Sequence, residues 1–427
     1  MKPNIIELVV NNNTCIGCGV CDTICPVNVL NMDFNSVGLY EPIESEGCLD
    51  KCTLCIDVCP FIPENNNEFE ISTKLYKNEI GINYHKELGY FVETLEIHKK
   101  DLTDRLKSAS GGAGNFILTT LLDSRIVDKI ITVESLSNSD KLFQFNVFSS
   151  SEELENTKGS VYYPTDLSEV LDYIMKNDGD YAITVLPCYA KAIRLAQDKS
   201  IKLRKRIKVL IGLVCGQMKT KKFTTELSKL AIETDNLIEV KYRIKNVNKH
   251  SNQYSLKFKK SSVNSKMIEW TKYSNKFWTS RLFTPLACNN CIDTFALTAD
   301  ISLMDAWLPE YIKDYRGHTL VIVRTNELKK IFSSQKDISC EHISADKVLE
   351  SQKGVVENKH YFVYGTYNPL KKIIIRLKIK IQKLSHDEVW NEKLTDKYIL
   401  QIKILEKLNG WASLPIRFIN KILKKGF

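Results

Sequence analysis

The stretches CIGCGVCDTICP (residues 15–26) and CLDKCTLCIDVCP (residues 48–60) carry the strongest structural signal in the chain. Each sets four cysteines before a proline: Cys15, Cys18, Cys21 and Cys25 in the first, Cys48, Cys52, Cys55 and Cys59 in the second. The spacing C-x2-C-x2-C-x3-C-P is the ferredoxin pattern for a pair of 4Fe-4S clusters. Three cysteines at intervals of three wrap a tight loop around one cubane, and the fourth reaches across to the other. One cluster is therefore expected on Cys15, Cys18, Cys21 and Cys59, and the other on Cys48, Cys52, Cys55 and Cys25. The x3 gap opening the second motif is tolerable, because that cysteine enters from a loop. Zinc in closed thiolate sites would favour two separated C-x2-C pairs over quartets ending in Cys-Pro.

Asparagine runs at 11–13 and 65–67 bracket these motifs and mark turns or linkers. They delimit a small two-cluster ferredoxin-type domain at 1–64. From about Gly89 short β-rich runs (Lys129–Val133, Tyr181–Leu186, Lys208–Val214) alternate with helical patterns. One such helix, Asp166–Met175, opens on an Asp166-x-x-Glu169 capping box. This alternation predicts an α/β unit at 85–365 with a mixed, mainly parallel sheet. Tyr254–Phe258 alternates apolar and polar residues, as an antiparallel strand with one wet face does.

The 427 residues are 43% apolar and 26% charged, ordinary globular usage. No apolar run approaches the ~20 residues that span a bilayer. The N-terminus shows neither an h-region nor a cleavage site, so a cytoplasmic location is expected. In that setting thirteen cysteines point to metal ligation, not disulfides. The net charge of +9 lies at the C-terminus, where 371–427 holds 14 Lys and Arg against 5 Asp and Glu. A neutral body with a basic end argues against a nucleic-acid groove. The segment 366–427 reads as a helical, basic amphipathic tail: KKIIIRLKIKIQKL and LPIRFINKILKKGF interleave basic residues with isoleucine and leucine. Such segments suit peripheral contact with the inner face of an anionic membrane. A basic helix packed on its own domain has the same composition, and KIIIRLKIKI also alternates as a strand does.

Five cysteines lie outside the ferredoxin motifs. Cys188 and Cys215 follow predicted parallel strands, at the sheet edge where open α/β folds place ligands. Cys288 and Cys291 form ACNNC in a loop after Pro285. Together the four make a plausible third cubane, while Cys340, with no cysteine neighbour, reads as structural. RLKSASGGAGNFILTTLL (105–122) sets a glycine-rich turn before a helical run, a geometry able to present free amides to an anion. No His/carboxylate constellation suggests a hydrolase, and there is no Walker loop or nucleophile elbow.

That segment, with VLPCYAKAIRL, IGLVCGQMKTKKF and CNNCIDTFALTADISLMDAWLPEY, resembles in order the family of coenzyme F420 hydrogenase/dehydrogenase beta subunits over about Gly89–Arg324. A ferredoxin module in front is a common fusion there. The resemblance implies an FAD-dependent iron–sulfur oxidoreductase passing electrons between the flavin and three 4Fe-4S clusters. It places Ser108, Ser110, Gly111 and Gly112 in the first flavin contact and Lys158, Gly159 and Ser160 in the second. Cys188, Cys215, Cys288 and Cys291 match the cysteines of the cluster beside the flavin, and Asp300, Asp305 and Trp307 a motif near it. The implied partners are a redox donor or acceptor protein or a deazaflavin; some relatives belong to surface-polysaccharide loci. A non-catalytic subunit relaying electrons to a partner enzyme is the alternative. The family's Thr-Pro-Cys-Gln reads Leu186-Pro187-Cys188-Tyr189 here, and its glycine-tryptophan-proline segment after Tyr242-Arg243 is replaced by Ile244, Lys245, Asn246 and Val247. These departures leave the substrate open.

Overall fold

A computed structural model describes residues 4–409 except 138–140, 235, 262–263, 334–335 and 388–389. Strands β1 (Leu30–Phe34) and β2 (Tyr40–Glu44) form an antiparallel hairpin between the two ferredoxin-type cysteine loops. A second hairpin, β3 (Asn83–His85) with β4 (Gly89–Phe91), leads into the main sheet. That sheet begins with β5 (Glu93–Lys99), β6 (Lys129–Ser135), β7 (Phe143–Phe148), β8 (Tyr181–Val185) and β9 (Ile207–Leu213). A separate antiparallel sheet follows, made of β10 (Glu239–Ile244), β11 (Ser255–Lys259) and β12 (Ser265–Glu269). Then β13 (Ile301–Asp305), β14 (Thr319–Val323) and β15 (Ile338–His342) complete the first.

The main sheet runs β15-β5-β14-β13-β9-β8-β6-β7. Its centre, β6, β8, β9 and β13, is parallel, as the alternating pattern predicts. The flanking pairs are antiparallel. The carboxyl ends of β8, β9 and β13 therefore open on one edge, and Cys188, Cys215 and Asp305 all fall there. β11 follows its alternation in part: Leu256 and Phe258 are buried and Lys257 is partly exposed, but Ser255, on the expected wet face, is buried.

Helix Pro187–Lys199 starts cleanly because Pro187 sits in its first turn, where its missing N–H has no partner to lose. It is tied to the sheet by Arg194, whose Nη2 lies 2.8 Å from both carboxylate oxygens of buried Asp300. Asp300 also accepts from the Tyr76 hydroxyl at 3.0 Å and the Leu210 amide at 2.7 Å. The Asp166 box forms differently from its sequence pattern. Asp166 accepts from the Ser168 amide at 3.1 Å, the helix spans Ser168–Lys176, and Glu169 turns outward to Lys141.

The ferredoxin-type unit shares one continuous apolar core with the sheet: Ile16, Val20 and Cys21 pack in the same cluster as Tyr189, Ala190, Ile193 and Cys288. The Leu167 amide donates to the Cys18 carbonyl at 3.0 Å, and the Thr23 hydroxyl to the Ser168 carbonyl at 3.4 Å.

The tail is helical, as Pro369–Leu384 and Glu392–Asn409. Its apolar face is spent inside the molecule: Ile374, Ile381, Ile399, Ile402 and Leu405 are buried in the core built on β10–β12. The sequence expectation of an interfacial face is thus corrected for Pro369–Leu384, which is a packing helix. The second basic segment, LPIRFINKILKKGF, lies outside the described residues. No described helix is long and apolar enough to cross a membrane.

Candidate functional site

Electrostatic contacts link cysteines within each expected ferredoxin-type quartet and also across the two, through Cys55 near Cys21 and Cys59. Burial raises the Cys18 thiol to about 12, and Cys59 adds to the rise. Cys21 is likewise raised by burial and then by Cys18, Cys15 and Cys59. In the second group burial raises the Cys48 thiol, with Cys25 and Cys52 among the neighbours that add to it. Cys55 is raised by burial and then by Cys52 and Cys48. Cys48 is exposed, whereas Cys21 and Cys59 are buried. Crowded buried thiols favour the neutral form, so a strongly cationic centre is what would hold them as thiolates.

Among the described residues the trio of possible metal donors within 4.8 Å of one another is Glu96, His98 and His318.

Cys188, Cys215, Cys288 and Cys291 come together from places a hundred residues apart. Cys188 occupies the first turn of helix Pro187–Lys199, and Cys215 follows β9. Cys288 sits within the single turn Leu286–Asn290, and Cys291 follows it directly. Burial raises the Cys188 thiol, and Cys291, Cys215 and Cys288 raise it further. Burial also pushes Cys215 to about 12, with Lys359 opposing. The tail helix pins this loop. Gln382 donates to the carbonyls of Thr284 and Pro285, each at 2.9 Å, and Ser385 accepts from the Phe283 amide at 2.9 Å.

Three buried basic residues that sequence reading missed lie by the quartet, and burial lowers the pKa of one of them, Lys219, well below the ordinary lysine value. Lys359, on helix Ala345–Tyr364, places Nζ 3.2 Å from the Cys291 sulfur and donates to the Asp293 carbonyl. Burial alone would lower its pKa, but Cys291 and Cys215 outweigh that and raise it. Arg281 and Lys219 also lie within electrostatic reach of Cys288. Nothing in the sequence distinguishes Lys359 from the solvated lysines of an amphipathic helix.

A cavity of about 760 Å³ opens beside this quartet, with Cys215 in its wall. Ser108, Ser110, Gly112, Lys158, Gly159, Ser160, Asp305 and Trp307 all line it. Gly111 does not. A Cβ there would stand 2.5 Å from the Ile97 carbonyl oxygen and 2.9 Å from the Thr319 amide nitrogen, so this glycine serves contact between turn and sheet. That corrects the expectation of a ligand contact at Gly111. Asp300, buried in its ion pair with Arg194, is likewise a structural residue outside the cavity wall.

The cavity floor is the start of helix Ala113–Asp123, preceded by Gly112 in the left-handed region at φ 94°. Lys158 is held by Asp104 at 3.1 Å and by Glu155. On the opposite side Arg243 donates to Asp305 at 2.8 Å and lies over the rings of Tyr254 and Trp307. Tyr162, Trp270 and Trp278 complete an aromatic wall. Three buried polar atoms of lining residues have no protein partner: Asn115 Nδ2, Arg243 Nε and Asp305 Oδ1. Orphans of this kind call for an outside partner. The room, the glycine turn at a helix N-terminus and the aromatic wall fit a dinucleotide carrying a flat ring system. Cys340 sits on β15 away from these lining residues, paired in register with Ile97.

Paired thiolate quartets fused to a cavity-bearing α/β sheet define an iron–sulfur redox protein. Comparison with known proteins identifies which. The signature for the C terminus of the coenzyme F420 hydrogenase/dehydrogenase beta subunit matches residues 178–346, its N-terminal counterpart 97–172, and a 4Fe-4S dicluster domain 7–60. The chain belongs to the family of coenzyme F420 hydrogenase/dehydrogenase beta subunits. It is 23% identical over 346 residues to an F(420)H(2) dehydrogenase subunit of Methanosarcina mazei, covering 79% of this chain and 86% of that protein. It is also 23% identical over 367 residues to the coenzyme F420-dependent sulfite reductase of Methanocaldococcus jannaschii, covering 81% of this chain and 50% of that protein. The fold resembles a chain of the F420-reducing NiFe hydrogenase complex from Methanosarcina barkeri, with TM-score 0.50 and 17% identity over 66% of this chain and 94% of that one.

Proposed function

We propose that this protein is an electron-transfer subunit, moving electrons between FAD in the cavity and a protein partner through three 4Fe-4S clusters. The observation carrying this reading is that Cys215 belongs both to the core quartet and to the cavity wall. Bound FAD would supply the exchange between two-electron hydride chemistry and single electrons. Ser108, Ser110, Gly112 and Asn115 would hold its polar part, with Lys158, Gly159 and Ser160 beside them. Arg243 and Asp305 would orient it against the aromatic wall. The Cys25, Cys48, Cys52 and Cys55 site, with exposed Cys48, is the outlet to the partner protein.

Both relatives named above act with coenzyme F420, which makes a reduced deazaflavin the first donor to assay. The room in the cavity beside its aromatic wall favours a second reading, in which the protein itself reduces a small substrate over the flavin. The deciding experiment is anaerobic purification, assay of iron, sulfide and released FAD, and reduction by deazaflavin, ferredoxin and NADH in turn. Protein lacking flavin after anaerobic reconstitution with FAD would end both readings. Turnover of a small acceptor without any partner protein would favour the second.

A further inference from the structure

Tyr189 follows Cys188 directly and is 2% exposed. Its hydroxyl donates to the Thr165 carbonyl at 2.7 Å, and the carbonyl oxygens of Ile16 and Gly17 stand 3.4 and 3.5 Å from the same atom. Ile16 and Gly17 are the residues between Cys15 and Cys18. The side chain also lines the cavity. One aromatic residue is thus peptide-bonded to a cysteine of the core quartet and in contact with the loop of the first ferredoxin-type quartet.

We infer that Tyr189 is the bridge through which the core quartet and the Cys15, Cys18, Cys21 and Cys59 quartet exchange electrons. This rests on the electron-transfer reading above. Tunnelling decays steeply across empty space and less steeply through bonds and close contacts. From Cys188 a covalent path runs through one peptide into the Tyr189 ring. It leaves the ring through contacts of 3.4 and 3.5 Å into the peptides that join Cys15 to Cys18. One electron leaves one site and arrives at the other; no bond is made or broken, and the phenolic proton stays on its hydrogen bond to Thr165. Tyr189 is also a positioning residue. Thr165 lies two residues before Leu167, whose amide holds the Cys18 carbonyl, so the hydroxyl and that amide fix the loop from one segment.

The test uses the full chain, reconstituted anaerobically, with Tyr189→Leu and Tyr189→Phe. Iron content, the potential of each cluster and the magnetic coupling between reduced clusters are measured, together with the rate at which electrons delivered at the flavin reach the ferredoxin-type clusters. Tyr189→Leu is expected to slow that arrival at least severalfold and weaken the coupling, at unchanged iron content and potentials. Tyr189→Phe, which keeps the ring, is expected to lie between the two. Should the leucine variant lose iron, the phenylalanine variant decides: a rate equal to that of the unaltered protein overturns the bridge. Unchanged rate and coupling in an iron-replete leucine variant overturn it as well. An unaltered protein with only two clusters would overturn the core cluster and the bridge together.

Discussion

The ammonium of Lys359 stands 3.2 Å from the sulfur of Cys291. A buried cation at that range stabilises negative charge on the thiolates and therefore favours the reduced form of whatever they bind. Lys359→Met keeps the apolar stem and removes the charge. The core cluster should then be harder to reduce, with a lower midpoint potential in an EPR-monitored titration, while the ferredoxin-type clusters keep theirs. Identical potentials in both proteins would show that the lysine serves packing alone.

Three cysteine quartets imply about 12 iron and 12 sulfide per chain after anaerobic reconstitution. Replacing Cys288 and Cys291 with serine should remove about four of each and leave the ferredoxin signals in place. Full iron retention by that double variant would refute the core site.

Arg194 and Asp300 form a buried ion pair that also engages Tyr76 and the Leu210 amide. Arg194→Met strands the carboxylate without its cation, a change that destabilises by about 3–5 kcal/mol. Chemical denaturation of reconstituted protein reads this directly; a loss below about 1 kcal/mol would mean that water or Tyr76 replaces the arginine.

Lys245 reaches the carbonyls of Arg105, Ser110 and Arg316 beside the glycine turn. Burial, then Arg243 and Arg105, lowers its pKa from the usual 10.5 to about 7. Between those values the unfolded chain binds the proton and the folded chain does not, so stability at this site rises as pH goes from 7 to 10.5. Thermal unfolding at pH 6.5, 8 and 9.5 should show that rise in the unaltered protein and a flatter profile in Lys245→Met. Parallel profiles would assign the pH dependence elsewhere.

Gly111→Ala should destabilise the fold by about 1–3 kcal/mol through overpacking against the Ile97 carbonyl and the Thr319 amide, with or without flavin. Gly159 differs, since a Cβ there meets nothing within 4 Å, although its φ of +131° still disfavours a side chain. Equal melting temperatures for Gly111→Ala and the unaltered protein would contradict the close approach of turn and sheet.

Much of this architecture was legible in the order of residues. The ferredoxin-type quartets were, because three ligands within seven residues in the first motif and eight in the second are a property of one loop. The parallel centre of the sheet was, because β8 and β9 appear as apolar runs separated by a helical pattern. The glycine turn was recognisable as a turn, but not that Gly111 faces the sheet while Gly112 faces the cavity. That choice depends on the passage of β5 and β14 behind it. The tail's composition suited a membrane face or a packed helix equally. Packing decided: Ile374 and Ile381 are buried, and Gln382 and Ser385 hold the cysteine loop.

The deepest division runs through the core quartet. Its cysteines could be named from the sequence, but the cations around them and the phenol beside them could not. Lys359, Arg281 and Tyr189 acquire their roles from neighbours between 7 and 173 residues away. A ligand spacing within one loop is set by bond lengths and a few backbone angles, so sequence alone determines it. A charge beside a sulfur, or a ring between two sites, exists only once distant segments are packed together, and burial gives these contacts their strength by excluding water.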